Sequence, residues 1–524
     1  MRRSTTGMAA AVAALGLAAT GCGDGSSAGA QSGGGGTVTI AISADPGSLA
    51  PLTTLASTAL FLNTYAYDTL VHVAQDGSLV SGVAEKWTAT TTSAQFTLKS
   101  GVTCEDGSPL AASDVAAEYN YIAAPKNQSP LLGLSVPQTA TASADDAART
   151  VSVKTTKPAP FILEMTSLLP LVCKKGLADP KALARASNAS GPYRLAEAVP
   201  GDHYTYVKRS GYTWGPGGAP ATGMPDKVTF KVVANESTAT NLLLSGDVNV
   251  VQVNGSDRQR LAAAQVLQRS VRQTLGQLLF NEAPGHPTAD PAVRRALVTA
   301  VDLKQIGSVA ANGQNEPPTN LGVVKPTPCT GDSVTGNVPG RDTAQAAAAL
   351  TSAGWTKTGD QWTKDGRTLT VTLPHPTNLG PQVLAAVELA VQQWTAFGVK
   401  VTPKPVTPAT VTSTMMSDGW DMAWLPINVY LPDQLTRFYD GPRPPQGTNF
   451  GGIANPDYKR LTAQASAKQG TAGCELWTAA ESALIKRLDV VPFATLSQTF
   501  YGKGVSFQID GAGVVPQTLR RTAG

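Results

Sequence analysis

From Thr37 onward the chain alternates between two hydrophobic repeats, and few folds can accommodate that pattern. "TVTIAI" (37–42) spaces Val38, Ile40 and Ile42 two apart, as a half-buried strand does. "QFTLK" (95–99) and "DKVTFKVV" (226–233) repeat the pattern. Helical stretches fall between and after them. Ser113 can cap a helix starting at Asp114 and ending by Pro125. "STATNLLLSG" stops at Gly246, and "DVNVVQV" follows as a strand. Asp290-Pro291 reads as an N-cap with proline at the first helical position, and Val293, Leu297 and Val301 then share one face. Further helices are expected from about 342 to 353, over "PQVLAAVELAVQQWTAF", and near 456–468 and 475–488. The strand "VKVTPKPV" follows the second of these. Strand–helix alternation over this length predicts α/β layers and argues against a β-sandwich or a helical bundle. At 524 residues the chain exceeds what one core normally serves, so more than one domain is expected.

The segment before Thr37 carries a different message. Arg2 and Arg3 precede an apolar stretch of about a dozen residues, "MAAAVAALGLAA", and small residues follow, which is the layout of a secretory signal over 1–21. The stretch is shorter than the roughly 20 residues a membrane span needs. "GDGSSAGAQSGGGG" (23–36) has nothing with which to form a core, and reads as a tether reaching about 20 Å. Its far end is Cys22. Ala19-Thr20-Gly21-Cys22 resembles the lipobox of bacterial lipoproteins, with Ala19 where leucine is more usual, which implies a lipid-modified Cys22 on the outer face of a bacterial cell membrane. Five cysteines then leave four, Cys104, Cys173, Cys329 and Cys474, an even number with three pairings for two disulfides.

Several functions lack support. A net charge of +4, near +2 without Arg2 and Arg3, and no basic run of five or more residues give nucleic-acid binding little electrostatic basis. No C-x-x-C occurs and the four histidines are dispersed, so neither a metal site nor a cofactor is expected. H-E-x-x-H, G-x-x-x-x-G-K-[ST], G-x-G-x-x-G after a strand and S-x-x-K with K-T-G are all missing. Enzyme catalysis has no nucleophile–base arrangement to rest on.

The order "YDTLV" (67–71), "DGSLVSGVAEKW" (76–87) and "FTLKSGVTCEDGSPLAASDVAAEYNYI" (96–122) resembles the extracellular solute-binding proteins of family 5, which serve ABC importers. "SGPYRL" (190–195), "LLFNEAPGHPTADPAVRRALVTAVDLKQI" (278–306), "NFGGIANPDYKRL" (449–461) and "AAESALIKRLDVVPFA" (479–494) extend the likeness across nearly all of 37–524. The resemblance implies an α/β, two-lobed periplasmic-binding-protein-like fold of type II, with an extra subdomain in lobe I. Lobe I is expected over 37–277 and 492–524, lobe II over 278–491, with "LLFN" and "VVPFA" as the two hinge crossings. On that division Cys104–Cys173 and Cys329–Cys474 are the favoured pairs, since each stays within one lobe.

The implied function is a monomeric extracytoplasmic receptor. It would close on a peptide or peptide-like solute, hand it to permease subunits driven by a cytoplasmic ATPase, and touch the membrane through its lipid only. A sensor of the same fold without transport is the alternative. The resemblance places the ligand near "GWDMAWLPINVYLPDQL" (419–435), which makes Trp420, Trp424, Asn428, Tyr430 and Asp433 the candidate binding residues. "DMAWL" also alternates as a core strand would, which suits packing of Trp420 as well as binding. Peptide-binding relatives place an aspartate just before the tyrosine. Val429 stands there, and a buried ammonium without a carboxylate is costly, so capped or modified peptides and non-peptide solutes enter the range. Nickel relatives favour histidine near the metal complex, and this segment has none.

Overall fold

The computed structural model describes residues 35–218, 221–407 and 410–522. The expected signal peptide, Cys22 and the linker as far as residue 34 lie outside the described residues. The largest sheet has eight strands: β1 (Thr37–Ile42), β2 (Tyr193–Val199), β3 (His203–Lys208), β4 (Lys227–Val232), β5 (Val250–Gln252), β6 (Leu267–Phe280), β7 (Met422–Trp424) and β8 (Val490–Gly502). Their spatial order is β7-β6-β8-β5-β1-β4-β3-β2. β1 lies between two parallel partners, pairing Ile40 with Phe230 of β4 and with Val250 of β5. The alternation in "TVTIAI" has its reason here, because Val38 and Ile40 are wholly buried in the first core with Tyr65, Tyr206 and Phe230.

β6 and β8 are long antiparallel neighbours, and they extend from one core into another. Val271 and Phe500 belong to the first core, whereas Leu275, Leu278, Val491, Phe493 and Ala494 belong to the second. "LLFN" and "VVPFA" are therefore only the apolar ends of strands 14 and 13 residues long. The remainder of β6, "LQRSVRQT", is largely polar and carries no buried-strand signature. Beyond the ribbon, Glu282, Arg294 and Asp489 form a buried ionic cluster. Arg294 is fully enclosed, 3.3 Å from Asp489 and 3.6 Å from Glu282, and Asn455 donates to Asp489 at 2.7 Å.

A second, four-stranded antiparallel sheet (Ala84–Thr90, Ser93–Leu98, Thr150–Lys154, Thr141–Asp145) packs against a helix over Ala112–Ala123. That helix starts earlier than its sequence suggests. Asp114 accepts from the N–H of Ala111, while Ser113 donates to Asp146 through both its N–H and its hydroxyl, so the capping is done by Asp114. In "EDGSPL", Asp106 accepts from the Ser108 N–H at 3.1 Å, forming the expected turn. Asp290 caps the helix Pro291–Thr299 by accepting from Ala292 at 2.8 Å. The second lobe carries a strand–helix–strand unit, Thr370–Pro376, Pro381–Phe397 and Lys400–Val406, with the strands parallel.

Cys104–Cys173 and Cys329–Cys474 are the disulfides, with Cα separations of 6.1 and 5.2 Å. The first joins Cys104, immediately before the "EDGSPL" turn, to Cys173. The second lies beside a small cluster in which Phe161 and Met165 meet Leu431 and Trp477. No helix among the described residues is long and apolar enough to cross a membrane.

Candidate functional site

The C-terminal ends of β1, β4 and β5 open on a cavity of about 310 Å³. Loops leave the sheet at these strand ends, which is where open α/β sheets form binding crevices. Ser43 follows β1, Val233 follows β4, and Gln252 and Asn254 sit at the end of β5. Ser57, Thr58 and Phe61, from the first turns of helix α1 (Ser57–Ala66), form one wall. Gln498 and Phe500 of the ribbon strand β8 form another.

The cavity floor is tightly tied. Glu236 opens helix α2 (Glu236–Ser245) and accepts from the N–H groups of Asn254 and Gly255 at 2.9 and 2.7 Å. Asn235 caps the same helix through Thr238 at 2.8 Å. Asn254 in turn accepts from the Thr499 N–H at 3.2 Å, binding the end of β5 to β8. Phe61 meets Phe230 and Phe500 edge to face, with ring centres 5.3 and 6.1 Å apart.

The segment 419–435 approaches this cavity unevenly. Trp424 is 1% exposed; its indole donates to Leu275 O at 2.9 Å, and its ring stands edge-on to Phe493 at 4.8 Å. Trp420 is buried to the same degree and donates to Met415 O at 3.4 Å. Both tryptophans thus lie in the second lobe's interior, packed as "DMAWL" alternation allows. Asn428 grips the ribbon: its carbonyl accepts from Thr274 N–H at 2.9 Å and its amide donates to Thr274 O at 3.0 Å. Thr274 is the position where β6 leaves one core for the other.

Tyr430 comes nearest the cavity. It presses on the loop 510–513, and a Cβ at Gly511 would lie 2.4 Å from its ring. On the loop's other side, a Cβ at Gly513 would lie 2.6 Å from Phe61, and Ala512 between them lines the cavity. Asp510 holds the loop by accepting from the N–H groups of Ala512 and Gly513 at 2.8 and 3.0 Å. One tight turn therefore separates Tyr430 from the cavity wall.

Asp433 lies away from the cavity, near the cluster of Phe161, Met165, Leu431 and Trp477. Burial, with the Glu164 carboxyl adding to it, pushes its carboxyl up to about 7. One of its oxygens is buried without a hydrogen-bond partner. Burial likewise lifts Glu164 to about 7. Among the described residues, no group of three or more His, Cys, Asp or Glu is arranged to hold a metal.

Sequence reasoning missed Ser43, Ser57, Phe61, Glu236, Gln252 and Gln498. Their only shared mark is position at a strand end, a helix start or mid-ribbon, and topology alone brings them together.

Comparison with known proteins gives this geometry its setting. The family model described as bacterial extracellular solute-binding proteins, family 5 Middle, matches residues 78–444. The chain belongs to that family of two-lobed solute-binding proteins. It is 26% identical over 287 residues to the periplasmic murein peptide-binding protein MppA of Escherichia coli, covering 50% of this chain and 52% of MppA. It is 25% identical over 287 residues to the oligopeptide-binding protein AppA of Bacillus subtilis, covering 52% and 50%. The chain thus spans about half the length of these curated relatives. A substrate-binding protein from Microbacterium hydrocarbonoxydans, crystallised with 4-hydroxybenzoate hydrazide, superposes with a TM-score of 0.74 at 25% identity, over 93% of this chain and all of that one.

Both carboxyls have a folded-state pKa raised above the unfolded value. Their contribution to stability is therefore complete below about pH 4 and is lost as pH rises through about 7. Melting temperature should fall between pH 5 and pH 8, and Asp433→Asn should flatten that slope and raise the melting temperature at pH 8. A variant with the wild-type slope, followed by circular dichroism, contradicts the assignment.

Proposed function

We propose that the chain is the extracytoplasmic receptor of an ABC importer, and that it binds a peptide or peptide-like solute between closing lobes and delivers it to the permease. The observation that carries this reading is the cavity at the strand ends, walled by the ribbon strand β8 and one turn from Tyr430 of the other lobe. A solute there would touch the first lobe, the ribbon and, through the 510–513 loop, the second. Binding and closure are the whole mechanism, and no bond is made or broken. Lobe I would comprise 37–277 and 492–524, and lobe II 278–491. Asn428 would act by holding the segment 426–430 on the ribbon, and Tyr430 by sensing the loop beneath the solute.

MppA and AppA, named for murein peptides and oligopeptides, support a peptide-like solute. The hydrazide bound by the Microbacterium protein extends the range to small amide-like molecules. The receptor is taken to act as a monomer.

Differential scanning fluorimetry against a library of free and capped peptides tests the reading. A ligand at about 100 times its Kd stabilises the folded state by about 2.7 kcal/mol, which raises the melting temperature by several degrees. If neither free nor capped peptides move it, the peptide reading fails.

The anchor is a separate part of the proposal. Cys22 would carry diacylglycerol at the mature N-terminus, and residues 23–36 would give the receptor slack above the membrane. Intact-mass spectrometry of protein from its native membrane should show a chain beginning at lipid-modified Cys22. A chain beginning at Met1, or an unmodified Cys22 thiol, overturns the anchor.

A further inference from the structure

The chemistry of the cavity wall is lopsided. Among the described residues no lysine, arginine or histidine lines it, and the one ionisable side chain on its wall is Glu236. That carboxylate is held in place by two backbone N–H donors and opens a helix, so it cannot swing away without releasing the end of β5. The remaining polar lining is neutral. Asn254 and Gln498 are partly committed, to Thr499 and Gln273. Ser43, Ser57, Thr58 and Gln252 make no side-chain hydrogen bond to the protein among the described residues, which leaves three hydroxyls and one carboxamide for a bound molecule. Phe61 and Phe500 supply the apolar surface. The volume equals that of about ten water molecules, at the small end of ligand sites.

We propose that this cavity takes a small portion of a solute, an apolar body bearing amide or hydroxyl groups, and rejects a free carboxylate. The proposal rests on the receptor reading above and specifies the solute that this site takes. A carboxylate placed here loses its water, finds no cation and faces Glu236, so it is penalised twice. A neutral amide finds donors and acceptors in the hydroxyls and in Gln252 and has no such penalty. The inserted part of a peptide would therefore carry no free carboxylate: the carboxyl end would be amidated or cyclised, or would stay outside the cavity.

Isothermal titration calorimetry with four forms of alanyl-leucine tests this on the purified full chain: free, N-acetylated, C-terminally amidated, and both. The two amides should bind at least tenfold tighter than the two acids. Gln498→Lys sets an ammonium on the cavity wall and should narrow the difference to under threefold. Thr58→Lys, on the opposite wall, should do the same and stands in if the first variant melts below the wild type. Acids that bind as tightly as amides overturn the proposal. A preference that both lysine variants leave intact also overturns it, because charge selection then lies outside this cavity. If none of the four binds but longer peptides do, the size assigned to the site is wrong. If no peptide of any kind binds, the receptor reading itself fails.

Discussion

The antiparallel pairing of β6 with β8 is the constraint from which the rest of the structure follows. Both strands are longer than either core needs, and each leaves one core and enters the other within a few residues of Thr274. Hydrogen bonds along the ribbon tie the two crossings to each other, and on the proposed lobe division they would let the lobes bend about one line without separating. At its second-lobe end the ribbon is fastened by Arg294 between Glu282 and Asp489, charges too deeply buried to stand without one another. At its first-lobe end β8 pairs with β5, which runs beside β1. The cavity lies where these strands end, so a bound solute and the bending line share β8.

The interlobe cluster is a second contact of a different kind. Phe161 and Met165 meet Leu431 and Trp477 over apolar surface, with Glu164 and Asp433 at its edge. Apolar burial favours contact without direction, whereas a buried carboxyl such as Asp433 or Glu164 favours it only while it holds its proton.

Much of the fold was legible in the sequence, because period-2 and helical repeats fall where strands and helices form. β1, β4 and the helix after Asp290 follow directly from Val38-Ile40-Ile42, "DKVTFKVV" and Asp290-Pro291. The disulfide partners were reachable only through the family resemblance, since spacing alone admits three pairings. The polar half of β6 was hidden because a strand outside a core alternates weakly. Ser113 was misread because Asp114, one residue on, met the Ala111 N–H while Ser113 turned to Asp146.

The candidate site was less legible. Aromatic content drew attention to 419–435, yet Trp420 and Trp424 pack inside the second lobe, and only Tyr430 reaches toward the cavity. The cavity's own residues come from β1, α1, α2, β5 and β8, far apart in the chain, and none belongs to a motif. The central claim is that a solute in this cavity draws the lobes together about the ribbon. Small-angle X-ray scattering of the full chain, with and without a ligand identified by calorimetry, measures this most directly. A radius of gyration that falls on saturation is the predicted result, and one that stays constant while the ligand is bound would contradict the account.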